Sequence, residues 1–154
     1  MKKERKNIFI SHYGKDEKFI VPFKKMANTA IATYDSSIVE SEPNNASNPD
    51  YIKYSILAPK IKWAGTVVVL IGKETQYRDY VNWEIEYAIK NDKKIIGVYL
   101  PGADKDDVPD SLEKYGDSLV TWDKNKIVGA LQGGTEWDNP SGKPRPNVPF
   151  RGEC

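Results

Sequence analysis

One carboxylate in the chain stands where a purely solvated acid fits poorly. In the stretch Tyr80-Val81-Asn82-Trp83-Glu84-Ile85-Glu86-Tyr87-Ala88-Ile89, a helical advance of about 100° per residue gathers Val81, Ile85, Ala88 and Ile89 on one arc that must face a core. Glu84 lies at a shoulder of that arc, Tyr80, Trp83 and Tyr87 cluster beyond the same shoulder, and Glu86 points away. Such a glutamate is either an ordinary surface charge at a helix margin or an acid kept beside rings for a purpose. The three aromatics, likewise, either pack or form a ring-stacking site. A second group of polar side chains, Ser11-His12-Tyr13, follows the apolar Ile8-Phe9-Ile10. His12 suits a hydrogen-bonded loop residue or a substrate contact better than a general base, because no G-x-S-x-G turn accompanies it. With one histidine and one cysteine, Cys154, the sequence offers no intrachain disulfide, no cysteine cluster and no histidine-rich zinc site. No metal is expected, and any chemistry must come from carboxylates, hydroxyls, aromatics and the backbone.

These residues need elements to hold them. Thr66–Ile71 and Lys94–Leu100 are apolar, β-branched and without polar alternation, as strands covered on both faces must be. Asn7–Ser11 is a third strand, Ser118–Trp122 a weaker one at an edge, and Ser36–Val39 a short edge candidate within the polar stretch 35–49. Between them, apolar residues at three- and four-residue spacing predict a helix from Asp16 through Ile31, with Pro22 tolerated in its second turn. A second helix is expected from near Asp50, carrying Ile52, Ile56 and Ile61 and kinked or broken at Pro59. A third spans Tyr80–Asn91, and a last covers Lys124–Leu131 before Gly133-Gly134. Strands alternating with helices imply right-handed crossovers and a parallel sheet with helices on both faces. Ligands of such sheets bind beyond the carboxyl ends of the strands, where the strand order reverses. If the first strand and Thr66–Ile71 are neighbours, Ser11, His12 and Tyr13 share a crevice with the loop after Gly72, and Glu84 enters from the same edge. After Gly133 come Pro140, Pro144, Pro146 and Pro149 without periodicity. The chain therefore divides into a domain at 1–134 and a proline-rich extension at 135–154, either poorly packed or docked elsewhere.

Composition narrows the function further. At 39% apolar and 29% charged residues, the chain is an ordinary globular one. Twenty-three Lys and Arg against 22 Asp and Glu leave no overall field toward nucleic acid or an anionic membrane, so neither is an expected partner. The basic Lys2, Lys3, Arg5 and Lys6 read as a solubilising lead-in to the first strand. The run Val67–Ile71 is too short to span a bilayer, and no hydrophobic segment of signal length follows the N-terminal charges, so a cytoplasmic location is expected. No glycine-rich phosphate fingerprint follows any strand. His12-Tyr13-Gly14-Lys15-Asp16-Glu17 lacks the Ser/Thr-rich cradle of an FMN site, and the paired acids of a phospho-receiver are missing.

Ile8-Phe9-Ile10-Ser11-His12, Val67-Val68-Val69-Leu70-Ile71-Gly72-Lys73-Glu74-Thr75 and Tyr80-Val81-Asn82-Trp83-Glu84-Ile85-Glu86-Tyr87-Ala88 together resemble the Toll/interleukin-1 receptor (TIR)-like domain. The nearest branch is the stand-alone bacterial and archaeal type that serves as the sensor of Thoeris anti-phage systems, and the resemblance runs from about Asn7 to Leu131. It implies a three-layer, flavodoxin-like α/β fold with a central parallel sheet of about five strands. It also implies an NAD-cleaving glycohydrolase or cyclase, with NAD+ as substrate and no cofactor. Glu84 matches the family's catalytic glutamate, and Phe9, Ser11, His12, Tyr13, Tyr80 and Trp83 fall at the expected substrate contacts. The family commonly has Ser and Trp where this chain has Arg78 and Tyr80, which alters the loop beside the substrate. The implied partners are a downstream effector that binds the nucleotide product, a phage-derived trigger, and further copies of the chain. The rival reading is an assembly module without chemistry, for which Glu84 held by a basic partner and lacking an adjacent pocket would be the sign. A flavin or nucleotide carrier is a third reading.

Overall fold

A computed structural model describes residues 4–29, 31–36 and 56–145. Five strands form one sheet, β1 (Glu4–Ser11), β2 (Ile31–Ser36), β3 (Thr66–Ile71), β4 (Lys94–Tyr99) and β5 (Ser118–Val120), in the order β2-β1-β3-β4-β5. Every neighbouring pair is parallel. The helices are α1 (Ile20–Ala27), α2 (Ala58–Trp63), α3 (Asp79–Lys90), α4 (Asp110–Tyr115) and α5 (Lys124–Leu131). This is the three-layer α/β arrangement expected, and the strand order reverses between β1 and β3.

Strand alternation divides the core into two layers. Phe9, Val67, Val69, Ile71, Ile95 and Tyr99 face α2, α3 and α4, packing on Ile61, Val81, Ile85, Ala88 and Leu112. Ile8, Ile10, Val68, Leu70, Ile96 and Val98 face α1 and α5, packing on Phe23, Ala27, Ile127 and Leu131. All six residues of β3 are buried, which is why its sequence carries no polar alternation. Gly97 in β4 is a packing requirement: a β-carbon there would sit 2.6 Å from Leu112 and 2.8 Å from Leu119.

Some boundaries differ from the sequence expectation. The first helix does not run to Ile31. A 3-10 segment at Gly14–Phe19 leads into α1, which ends at Ala27, and Ile31 already belongs to β2. Asn28 closes the helix by donating its N–H to the Lys24 carbonyl, and the β-branched Ile31 and Thr33 then suit a strand. The edge strand is thus Ile31–Ser36, and positions 37–39 lie outside the described residues, as does the helix start near Asp50. Pro59 sits in the first turn of α2, directly after π-helical residues at 56–57, so the helix changes type beside the proline. Helix α4 was not anticipated, because its six residues bury one apolar side chain, Leu112. Part of the proline-rich segment lies along β5: Leu119 N–H donates to the Glu136 carbonyl and Asp138 N–H to the Leu119 carbonyl, each at 2.8 Å. Trp137 is buried in the same core layer as Ile85, and Lys126 pairs with Glu136 and Asp138 at 3.0 and 3.2 Å. Among the described residues, no helix is long and apolar enough to cross a membrane.

Candidate active site

Helix α3 reaches the carboxyl edge of the sheet through a loop pinned by its own polar side chains. Thr75 Oγ1 accepts from Gly72 N–H at 2.8 Å and donates to the Leu70 carbonyl at 3.3 Å. Asn82 Nδ2 donates to the carbonyls of Gln76 and Arg78 at 2.9 and 3.1 Å, fixing the first turn of α3 to the loop before it. These bonds settle the rotation of α3 about its axis. Val81, Glu84, Ile85 and Ala88 face inward, while Glu86 is exposed.

Glu84 is therefore deeper than a helix margin. It is 6% exposed, and Ser11, at the end of β1, is 1% exposed. The Ser11 hydroxyl donates to Glu84 Oε1 at 2.5 Å. Loss of hydration outweighs that one hydrogen bond and pushes the Glu84 carboxyl up to about 8. Near neutrality the side chain is thus mostly a neutral acid, and among the described residues no cation is set against it.

The other site residues divide into those near this pair and those elsewhere. Tyr13 lies under the Arg78 guanidinium, 3.9 Å from the ring centroid, an arrangement that links the exits of β1 and β3. Arg78 also donates to Glu74 Oε1 at 2.8 Å. His12 Nδ1 lies 2.9 Å from the Tyr13 carbonyl, which fixes it as the protonated nitrogen and leaves the buried Nε2 without a partner. Trp83 stacks on Tyr87, ring centroids 4.8 Å apart and 18° from parallel, and Tyr80 packs against the core with them. In this state the aromatics of α3 pack on one another and on the core. Phe9 is fully buried in the core layer that holds Val67, Val69 and Ile85, so in this state its ring packs within the core. The uninterrupted apolar run Ile8-Phe9-Ile10, buried on both faces of the sheet, was the signal available for this.

A cavity of about 270 Å³ opens where β1, β3 and β4 end, lined by Tyr13, Asp16, Phe19, Gly72, Glu74 and Leu100 among others. Phe19 and Leu100 belong to the α1 side of the sheet, so this cavity lies across the strand ends from Glu84, and neither Ser11 nor Glu84 is in its walls. Burial raises the Asp16 carboxyl above its usual range, against the opposing charges of His12 and Lys18. Its side chain sits so close to Gly72 that a β-carbon there would lie 2.6 Å from Asp16 Oδ2. Asp16 and Glu74 did not stand out as site residues in the sequence, the available signal being their position in loops that leave carboxyl ends of strands, and Arg78 stood out only as a departure from the family's usual Ser.

Residues 9–105 match the family described as "Thoeris protein ThsB, TIR-like domain". No curated protein matches the chain. Among solved structures, the chain is similar to a crystal structure of a conserved protein from Enterococcus faecalis V583, at 13% identity and a TM-score of 0.46. That similarity covers 64% of this chain and 65% of the other, just under two-thirds of its length. The family match covers well over half of the sequence and includes both Ser11 and Glu84, and the chain accordingly belongs to the TIR-like domain family of the Thoeris protein ThsB.

Proposed function

We propose that the chain is an NAD+-cleaving enzyme of the glycohydrolase or cyclase type, acting in anti-phage defence, with Glu84 as its catalytic carboxylate. The observation that supports this reading is the buried Ser11–Glu84 pair at the β1/β3 reversal, an acid held by a hydroxyl and, among the described residues, by no cation. In the proposed reaction the bond between nicotinamide and the ribose C1′ breaks, and its electron pair leaves with nicotinamide. Nicotinamide departs neutral, so no second carboxylic acid is needed to protonate it, unlike an ordinary glycosidase. The cationic nicotinamide ring lowers the Glu84 pKa on arrival, and the resulting carboxylate steadies the oxocarbenium-like sugar. A nucleophile then adds at C1′, and a carboxylate made basic by burial is suited to take up its proton. Water gives ADP-ribose plus a proton; a nucleophile within the same molecule closes a ring. The product serves as a signal for a separate effector protein.

Because Glu84 is covered in this state, turnover requires its cover to move, which suits an enzyme switched on by a phage-derived cue or by self-association. The rival assembly-module reading calls for a basic partner on Glu84 and no open pocket beside it: the hydrogen-bond partner is Ser11, which disfavours that reading, while the absence of Glu84 from the walls of the cavity at the strand ends is what it expects. The test compares small molecules extracted from infected cells carrying native protein or Glu84→Gln. NAD+ loss and a new ADP-ribose-derived species in the native cells alone support the assignment. Equal NAD+ loss in both, with both proteins folded and equally abundant, removes Glu84 from the chemistry.

A further inference from the structure

The cavity where β1, β3 and β4 end carries a carboxyl that the Glu84 chemistry leaves unused. Its volume is about 270 Å³. Phe19, Leu100, Pro101 and Ala103 supply apolar walls, and Asp16 supplies the acid. A turn closed by Asp16 N–H donating to the Tyr13 carbonyl at 2.8 Å fixes the backbone of that residue. Its carboxyl lies across Gly72, where a β-carbon would come within 2.6 Å of Oδ2, so a glycine is what leaves room for it. Partial burial raises this carboxyl above its usual range, His12 and Lys18 act against that through their charge, and Glu74 adds to it. Among the described residues no hydrogen-bond donor meets the Asp16 carboxyl. A half-buried acid so placed keeps its hydrogen-bonding capacity for whatever fills the cavity.

We infer that this cavity binds a small neutral heteroaromatic ring bearing an amide or amidine edge, with that edge on the Asp16 carboxyl. Size limits the ligand first. Sites for drug-sized molecules run from ~300 to ~1,000 Å³, so 270 Å³ suits a single ring system rather than a dinucleotide. Charge limits it next. Lys15 and Lys73 stand in the walls, and Lys18 lies close enough to act on Asp16. A cationic ligand would be repelled by all three, whereas a neutral N–H donor is not. Glu74, the other acid of the walls, is engaged by Arg78, which leaves Asp16 to receive the donor. As a carboxylate Asp16 accepts from an N–H; with a proton, the form that burial favours, it offers a donor and an acceptor side by side. An amide edge and the amino edge of adenine are both complementary to that pair. Nicotinamide and adenine therefore share the chemistry and differ in source: one is the leaving group of the reaction proposed above, the other the distal base of its substrate. Binding involves neither Ser11 nor Glu84 and does not depend on NAD+ cleavage.

The test is a two-dimensional amide NMR titration of the full chain with nicotinamide, adenosine, pyridine, purine riboside and benzylamine, read at the N–H groups of Gly72 and Gly102 in the cavity wall. Pyridine and purine riboside are the first two ligands without the amide or the amino group, and benzylamine is the cationic control. Nicotinamide, adenosine or both should shift these amides saturably, about tenfold or more tighter than the stripped analogue; the one that binds identifies the source. Asp16→Ala should weaken binding by about tenfold or more, whereas Asp16→Asn, which keeps a donor and an acceptor, should retain most of it. Ala103→Phe should fill the cavity and abolish it. Thermal melts of the three variants check that each is folded. Absence of a saturable shift with both nicotinamide and adenosine overturns the proposal. So does undiminished binding by folded Asp16→Ala or Ala103→Phe, since the ligand then sits elsewhere. Stripped analogues that bind as tightly as their parents reduce the cavity to an apolar hollow, and benzylamine binding tighter than either makes it a cation site; each result equally overturns it.

Discussion

Replacing Glu84 with glutamine is expected to stabilise the fold, and increasingly so as the pH rises. Folding takes a carboxyl that ordinarily titrates at 4.5 and, by burying it, moves it to about 8. Between those values the unfolded chain has released the proton and the folded one retains it, so each rise of one pH unit favours unfolding by ~1.4 kcal/mol. Below about 4.5 both states hold the proton and the cost vanishes; above about 8 both have lost it and the cost is constant. The whole interval sets a ceiling of roughly 5 kcal/mol, and relaxation around the ionised group reduces the observable value to a few kcal/mol. Glutamine keeps an oxygen that can accept from Ser11 and has no proton to lose. Urea denaturation of both proteins at pH 5, 6, 7 and 8 measures the difference. The variant should gain little at pH 5 and progressively more toward pH 8. A difference that does not change with pH, or a variant less stable at every pH, would show that Glu84 is an ionised group already compensated in the folded protein and would refute this account of its proton.

Under activating conditions, kcat/KM for NAD+ should rise with pH through a midpoint near 8 and level off about a unit or more above it, whereas the acid limb of kcat should lie lower, because bound substrate brings a positive charge; coincident limbs would contradict this. Ser11→Ala removes the hydrogen bond that favours the Glu84 carboxylate, so the kcat/KM limb should move up by about one pH unit or less and activity at pH 7 should fall up to about tenfold, with recovery at higher pH. An unmoved limb would make Ser11 a packing residue. Gly97→Val drives a side chain into Leu112 and Leu119 and should cost about 1–3 kcal/mol in urea unfolding, the usual range for overpacking. Trp137→Ala empties a core position and should cost about 3–5 kcal/mol; a negligible change would mean that the segment along β5 is dispensable to the fold.

The parts of the fold readable in the sequence were those governed by a single strong term. β3 and β4 are buried on both faces, and their apolar runs, rich in β-branched residues and without polar alternation, read as strands. α3 and α5 carry a clear apolar arc. Where two local preferences compete, the reading slipped. Ile31 continues the helical spacing of Phe23 and Ala27, yet the chain stops the helix at Asn28 and uses Ile31 in a strand. That Glu84 comes to the carboxyl edge of the sheet near the end of β1 was legible, as its contact with Ser11 shows. Its depth was not, because the wheel gives the angle of Glu84 about α3 but not how closely α3 approaches β1. The stacking of Trp83 on Tyr87, the Arg78 guanidinium over Tyr13 and the burial of Phe9 depend on distances between elements, which spacing along the chain does not encode. Trp137 shows the same limit, since only the path of the segment after Gly134 brings it back to the core.

The most direct test is nicotinamide release from NAD+ by purified protein under activating conditions, comparing native chain with Glu84→Gln. Loss of a single catalytic carboxylate should lower the rate by a factor on the order of 10³ or more, with the variant folded and at least as stable as the native protein at pH 8. Release of nicotinamide by Glu84→Gln at the native rate would mean that the buried carboxyl takes no part in cleaving the bond.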